Sequence, residues 1–139
     1  MGLSINGLTE MSDLPTTLDH CVIHVGDWEV ARDFYTRVIG CEAVEVKDGY
    51  VFRLGDQQLN CHGPKKFAEP KARVPVEPGN SDLCFRWHGP ISAAREHLLE
   101  QGIEIELGPV QRFGARGEGT SIYFRDPDGS LMEFMSYDS

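Results

Sequence analysis

No stretch of this 139-residue chain carries about 18 consecutive apolar residues, the length a helix needs to cross a lipid core, so no membrane partner is expected. Cationic side chains are scarce too: 13 Lys and Arg stand against 22 Asp and Glu, a net charge of −9. Neutralising nucleic-acid phosphates takes clustered Lys and Arg, and Lys65 with Lys66, or Arg112 with Arg116, is too sparse a grouping to supply that. Nucleic acid is therefore not expected as a partner, and the acidity reads as a guarantee of solubility. The opening MGLSINGLTEMSDLPTT lacks both the basic segment and the continuous apolar segment of a secretory signal. Closely spaced cysteine pairs are missing as well. Cys21, Cys41, Cys61 and Cys84 are spread along the chain, which suits reduced thiols packed as small hydrophobes in a cytoplasmic protein.

What is present is a pattern that occurs twice. Residues 18–25 (LDHCVIHV) read as a strand from their β-branched content and alternation. Asp27 is placed to cap a helix over 28–39, with Val30, Phe34 and Val38 on one face and Gly40 as its terminator. Short strands follow at 42–47, 50–54 and 57–62, separated by Asp48 with Gly49 and by Gly55 with Asp56. Residues 64–80 are rich in proline and charge, have no periodicity and read as a linker. The order then recurs: a strand at 81–88, a helix at 91–101 ending at Gly102, a strand at 103–107, a glycine-rich loop at 108–119 able to close over a pocket, and strands at 120–125 and 130–136 joined by Asp126-Pro127-Asp128-Gly129. Aligning the halves without a gap puts His20 on Asp82 and Gly40 on Gly102. The organisation expected is an N-terminal extension, 1–17, followed by a single domain, 18–137, made of module one (18–63), the linker and module two (81–137).

Side chains alternate across a strand, and here the two faces differ in kind. Cys21, Ile23 and Val25 oppose His20, Val22 and His24, while Leu59 and Cys61 oppose Gln58, Asn60 and His62. Leu83, Phe85 and Trp87 oppose Asp82, Cys84, Arg86 and His88, and Ile122 and Phe124 oppose Ser121, Tyr123 and Arg125. Each strand thus has an apolar face fit to lie under a helix. A face that merely meets water is usually filled with Lys, Glu and Thr; His, Asp, Asn and Tyr are residues that ligate metals or orient ligands.

LDHCVIHV followed by ARDFYTRVIG resembles the opening of a vicinal-oxygen-chelate module, and SIYFRDPDGSLMEFM resembles the close of a second one. That superfamily holds glyoxalases, bleomycin-resistance proteins and extradiol dioxygenases. GDQQLNCHG and GPVQRFGARGEGTSIYFRDPDG look more narrowly like its glyoxalase-domain proteins of the virulence-associated type. The resemblance implies an α+β fold in which two tandem βαβββ modules form curved half-barrel sheets around a pocket. It also implies a divalent metal ion (Mn, Fe, Ni or Zn) held by the first and last strands of the modules. Matched position by position, His20, Asp82 and Glu133 fall on ligand positions, and the fourth ligand comes from the strand bearing Asn60 and His62, of which His62 is the better donor. Asp82 stands where many members carry His, a departure that favours harder metals.

The function implied is a glyoxalase-like lyase or isomerase acting on a small molecule that chelates the metal through neighbouring oxygens, with Glu133 as the catalytic base and Asn60, Tyr123 and Arg125 as candidate substrate contacts. Extradiol dioxygenation, thiol transfer and metal-free ligand sequestration of the bleomycin-resistance kind are the alternatives on the same scaffold. Such proteins commonly pair as homodimers with sites that use both chains, so a homodimer is expected.

Overall fold

The computed structural model describes residues 3–5, 8–10, 13–47, 49–64 and 68–138. Lys65, Lys66 and Asp48 lie outside the described residues. The N-terminal extension contains a small antiparallel hairpin, β1 (Leu3–Ile5) with β2 (Leu8–Glu10). Module one then runs β3 (His20–His24), α1 (Trp28–Phe34), β4 (Glu42–Val46), β5 (Gly49–Leu54) and β6 (Gln57–His62). Module two repeats the order with β7 (Asp82–Arg86), α2 (Ile91–Glu100), β8 (Leu107–Gly114), β9 (Gly117–Arg125) and β10 (Leu131–Ser136). Each module makes an open four-stranded sheet of the same topology, β3-β6-β5-β4 and β7-β10-β9-β8. The first and last strands of each module pair in parallel, and all other pairings within these two sheets are antiparallel.

Local chemistry sets the helix ends. Asp27 is extended, and its carboxylate accepts the Val30 N–H at 3.0 Å, satisfying a donor the helix cannot reach. The helix widens into a π turn over Tyr35–Ile39 and stops at Gly40, whose φ of 93° is left-handed. The buried face is not quite the one expected: Ala31, Phe34, Tyr35, Val38 and Ile39 are buried, whereas Val30 is 49% exposed. The π turn rotates Tyr35 inward at the expense of the regular spacing.

The glycine-rich stretch 108–119 is not a loop. Residues 103–106 form no strand, and β8 and β9 instead make a long hairpin through that stretch, with a register shift between Leu107 and Val110. Two glycines make this geometry available. A side chain on Gly108 would meet the Ser121 carbonyl oxygen at 2.4 Å, and Gly117 turns the hairpin with φ 101°. Glycine here permits close strand approach where the sequence suggested flexibility.

The helix-facing sides of both sheets contribute to one apolar core, with Phe34 of α1 packing on Phe124 of β9 and Tyr35 stacking on Phe52 of β5. Polar bonds tie the modules together. The fully buried Tyr35 donates its hydroxyl to Asp126 Oδ2 at 2.8 Å. Asp126 Oδ1 accepts the N–H groups of Asp128 at 2.9 Å and Ser130 at 2.8 Å, and the Asp128 carboxylate accepts the Gly26 N–H at 3.2–3.3 Å. His97 of α2 bonds the Val38 carbonyl oxygen at 2.7 Å. The acidic turn before β10 is thus a clasp between the modules. Burial raises the Asp126 pKa even though its hydrogen bonds oppose the shift, and burial with the Asp126 charge raises that of Tyr35.

Gly63, buried just past the end of β6, lies against the Trp28 ring, where an added Cβ would stand 2.1 Å from ring carbons. Gly63→Ala is expected to destabilise the fold by about 1–3 kcal/mol through overpacking, read as a lower urea midpoint. An unchanged midpoint would mean that Trp28 repacks without cost.

Candidate functional site

With the apolar faces in the core, the opposite faces carry the chemistry. On the first sheet these positions are His20, Val22 and His24 of β3 and Gln58, Asn60 and His62 of β6; on the second they are Asp82, Cys84 and Arg86 of β7, Glu133 of β10 and Tyr123 of β9. The register separates Asn60 from His62. His20 lies opposite Gln58, Val22 opposite Asn60 and His24 opposite His62. In module two Asp82 lies opposite Leu131 and Cys84 opposite Glu133. Since His20 corresponds to Asp82, the counterpart of Glu133 is Asn60. Its Oδ1 accepts a hydrogen bond from the Gln58 amide at 2.7 Å. His62 sits one pleat further, with its ring edge-on to His24 at 5.2 Å between centroids.

Each of the other candidates has a definite neighbour. His20 Nδ1 is 2.8 Å from Asp19 Oδ2, at the exposed start of β3. Tyr123 stands opposite Glu133, and its hydroxyl accepts from Arg112 Nε at 3.0 Å. Arg125 is committed elsewhere: it grips Glu106 through two bonds of 2.8 and 2.9 Å and donates to the Gly129 carbonyl oxygen at 3.1 Å. That grip holds the Glu106 carboxyl below the usual range. Neither Asp126 nor Asp128 pairs with Arg125, because Glu106 reaches it first from across the β8–β9 ribbon.

Sequence reasoning passed over two residues here. Cys84 is exposed overall, but desolvation of its thiol, followed by the charge of and a hydrogen bond with Glu133, pushes it up to about 12. Cys84 stands directly opposite Glu133 in the parallel β7–β10 pair. His24 is the other, since it is the imidazole that His62 meets. Alternation put both on the polar face; only the parallel register shows what they pair with.

The candidates gather as two groups, one on each sheet. Among the described residues no three His, Cys, Asp or Glu side chains approach closely enough to hold a metal. The reason is architectural. Both sheets turn their apolar faces to one common core, so their polar faces look away from it. The donors on those faces, imidazole, amide and carboxylate, are nonetheless of the types that suit a divalent ion. A cleft of about 710 Å³ opens where the sheets adjoin, lined in part by Glu42, Arg53, Cys84, Arg86 and Trp87.

Among known proteins, the chain is 47% identical over 122 residues to glyoxalase domain-containing protein RDO1 of Mycosarcoma maydis, covering 87% of this chain and 68% of that one. It superposes on the crystal structure of virulence protein STM3117 from Salmonella typhimurium with a TM-score of 0.82 and 41% identity, over 90% of this chain and 99% of the other. A lactoylglutathione lyase from Agrobacterium tumefaciens shares the fold at 23% identity, with a TM-score of 0.68 over 89% of this chain and 96% of the other. The repeated βαβββ order, the paired polar faces and a family model matching residues 17–134 agree: the chain belongs to the Glyoxalase/Bleomycin resistance protein/Dioxygenase superfamily.

Proposed function

We propose that the protein is a metal-dependent lyase or isomerase of the glyoxalase type, with one half-site on each sheet. The observation that supports this reading is the central position of Glu133, half-buried on the polar face of the second sheet between Cys84 and Tyr123. His20 and Asn60 of the first sheet, with Asp82 and Glu133 of the second, are the residues that would hold the ion; His62, one pleat beyond Asn60, is the alternative donor. A divalent ion held there would supply Lewis-acid stabilisation of the negative charge left as a proton departs a carbon beside the substrate's neighbouring oxygens. Glu133, once displaced from the ion by substrate, would be the base that takes that proton. Tyr123 offers its hydroxyl to substrate oxygen. Oxygen insertion into a diol, which a relative named biphenyl-2,3-diol 1,2-dioxygenase 2 suggests, remains the second enzymatic reading.

Because the half-sites look outward from a common core, a second copy of the chain is needed to bring them together, module one of one protomer over module two of the other. Protein purified without chelator or affinity nickel is expected to carry near-stoichiometric metal, which the His20→Ala/Glu133→Ala variant loses. Mixing the separate His20→Ala and Glu133→Ala proteins restores about a quarter of the metal if sites form between protomers, since half of the dimers are mixed and each holds one intact site. Metal-free wild type that cannot be reloaded would refute the chelate reading; metal with no recovery on mixing would place the site within one chain.

A further inference from the structure

Three arginines lie on or beside the polar face of the second sheet, and only one has an acidic partner. Arg125 is spent on Glu106. Arg86 and Arg112 have no carboxylate within ion-pair distance among the described residues, although acidic residues outnumber basic ones 22 to 13 in the chain. Each is held by a tyrosine instead. The Arg112 guanidinium lies 5.5 Å from the Tyr123 ring centroid, with Nε donating to the Tyr123 hydroxyl and Nη1 donating to the Gln111 carbonyl oxygen at 2.9 Å. The Arg86 guanidinium lies 5.5 Å from the centroid of Tyr137.

The register places these two stacks around Glu133. Tyr123 is its direct cross-strand neighbour on β9, and Arg86 stands opposite Met135, one pleat along β10. Arg112 lies across from Gly119, whose Cβ position is filled by Met135 and Tyr137, and the Arg112 side chain itself is exposed. A guanidinium stacked on an aromatic face is oriented while part of its donor fork stays open, and that fork matches two oxygens of a carboxylate or phosphate. Orientation before binding lowers the ordering cost of capturing an anion.

Resting on the reading of this face as the substrate site, we propose that the substrate carries an anionic group, a carboxylate or phosphate-type oxyanion, held by Arg112 with Arg86 on the opposite flank while Glu133 addresses the reacting carbon. The charge of the substrate then distinguishes it from a neutral diol or ketoaldehyde of the same size.

The test compares 3,4-dihydroxybenzoate with catechol by calorimetry on manganese-loaded protein, the two sharing their neighbouring oxygens and differing in a carboxylate. The dihydroxybenzoate is expected to bind about tenfold tighter or better, with the advantage lost in Arg112→Met and in Arg86→Met while catechol affinity holds. Arg112→Lys, which keeps the charge but not the fork, falls between. Equal affinities in the wild type would overturn the proposal and leave the metal reading intact. Should the protein neither load manganese nor bind either diol, the metal reading fails, and benzoate titrated into metal-free protein decides the anion site. Saturable binding abolished by Arg112→Met upholds it, and no binding overturns it.

Discussion

Glu133→Gln is expected to lower turnover by about two to four orders of magnitude while leaving the fold intact, because the amide keeps the shape of the carboxylate and cannot accept a proton from carbon. Glu133 is only half-buried and lies on the sheet face away from the core, so the thermal midpoint should move little. α-Ketoaldehyde–thiol adducts and catechols are the substrates on which to measure it. The split between kcat and KM carries the argument: loss in kcat with a modest change in KM marks a group that acts on the reacting bond. Full activity in the variant would remove Glu133 from the mechanism. The Cys84 thiol gives the prediction a second reading. Burial is the main cause of its raised pKa and the Glu133 charge adds to it, so Glu133→Gln should lower the thiol pKa in part while burial keeps it raised. Alkylation rates followed against pH would record that shift even without a substrate.

The second large effect is structural. Asp126→Ala should cost about 3 kcal/mol or more, since it strands the Tyr35 hydroxyl and the Ser130 N–H in the interior at once. Asp126→Asn should cost much less, because an amide oxygen still accepts and no charge needs to be buried. The pH dependence has a definite sign. The folded state raises the Asp126 pKa, so the stabilisation linked to its neutral form is complete below the ordinary carboxyl range and is lost as pH rises through the raised value. The wild-type urea midpoint should therefore fall, relative to that of Asp126→Asn, as pH rises through the raised value. Parallel curves would show that this carboxyl does not titrate differently on folding.

Strand alternation and turn chemistry made most of the fold legible in the sequence. The elements β3 to β7, α2 and β10, the Asp27 cap and the Gly40 stop all follow from side-chain periodicity and backbone preference, which are local properties. The β8–β9 hairpin was hidden because its glycines serve close packing against Ser121 rather than a loop, a fact held by the neighbouring strand and not by the stretch itself. The candidate site was legible as a face and not as a set of partners. Whether Asn60 or His62 corresponds to Glu133 depends on which residues stand opposite each other in the parallel β3–β6 pair, and residues so far apart in sequence carry no local sign of it. Arg112 and Glu106 were missed for the same reason: one lies in the stretch read as a loop and the other in the strand expected over 103–107, and both find their partners on the neighbouring strand.

The division of each strand into a core side and a chemical side has a consequence for how such a protein changes over generations. Ile23, Leu59, Phe124 and Phe134 are buried in the core, while His20, Asn60, Asp82 and Glu133 on the other faces are exposed or half-buried. Exchanging His for Asp at one position, or Glu for Asn at another, asks nothing of the interior. A lineage built on this scaffold is free to replace its reactive side chains one at a time, retaining a folded protein at every step, so that shared ancestry is preserved in the buried half of each strand and the reaction is written in the other.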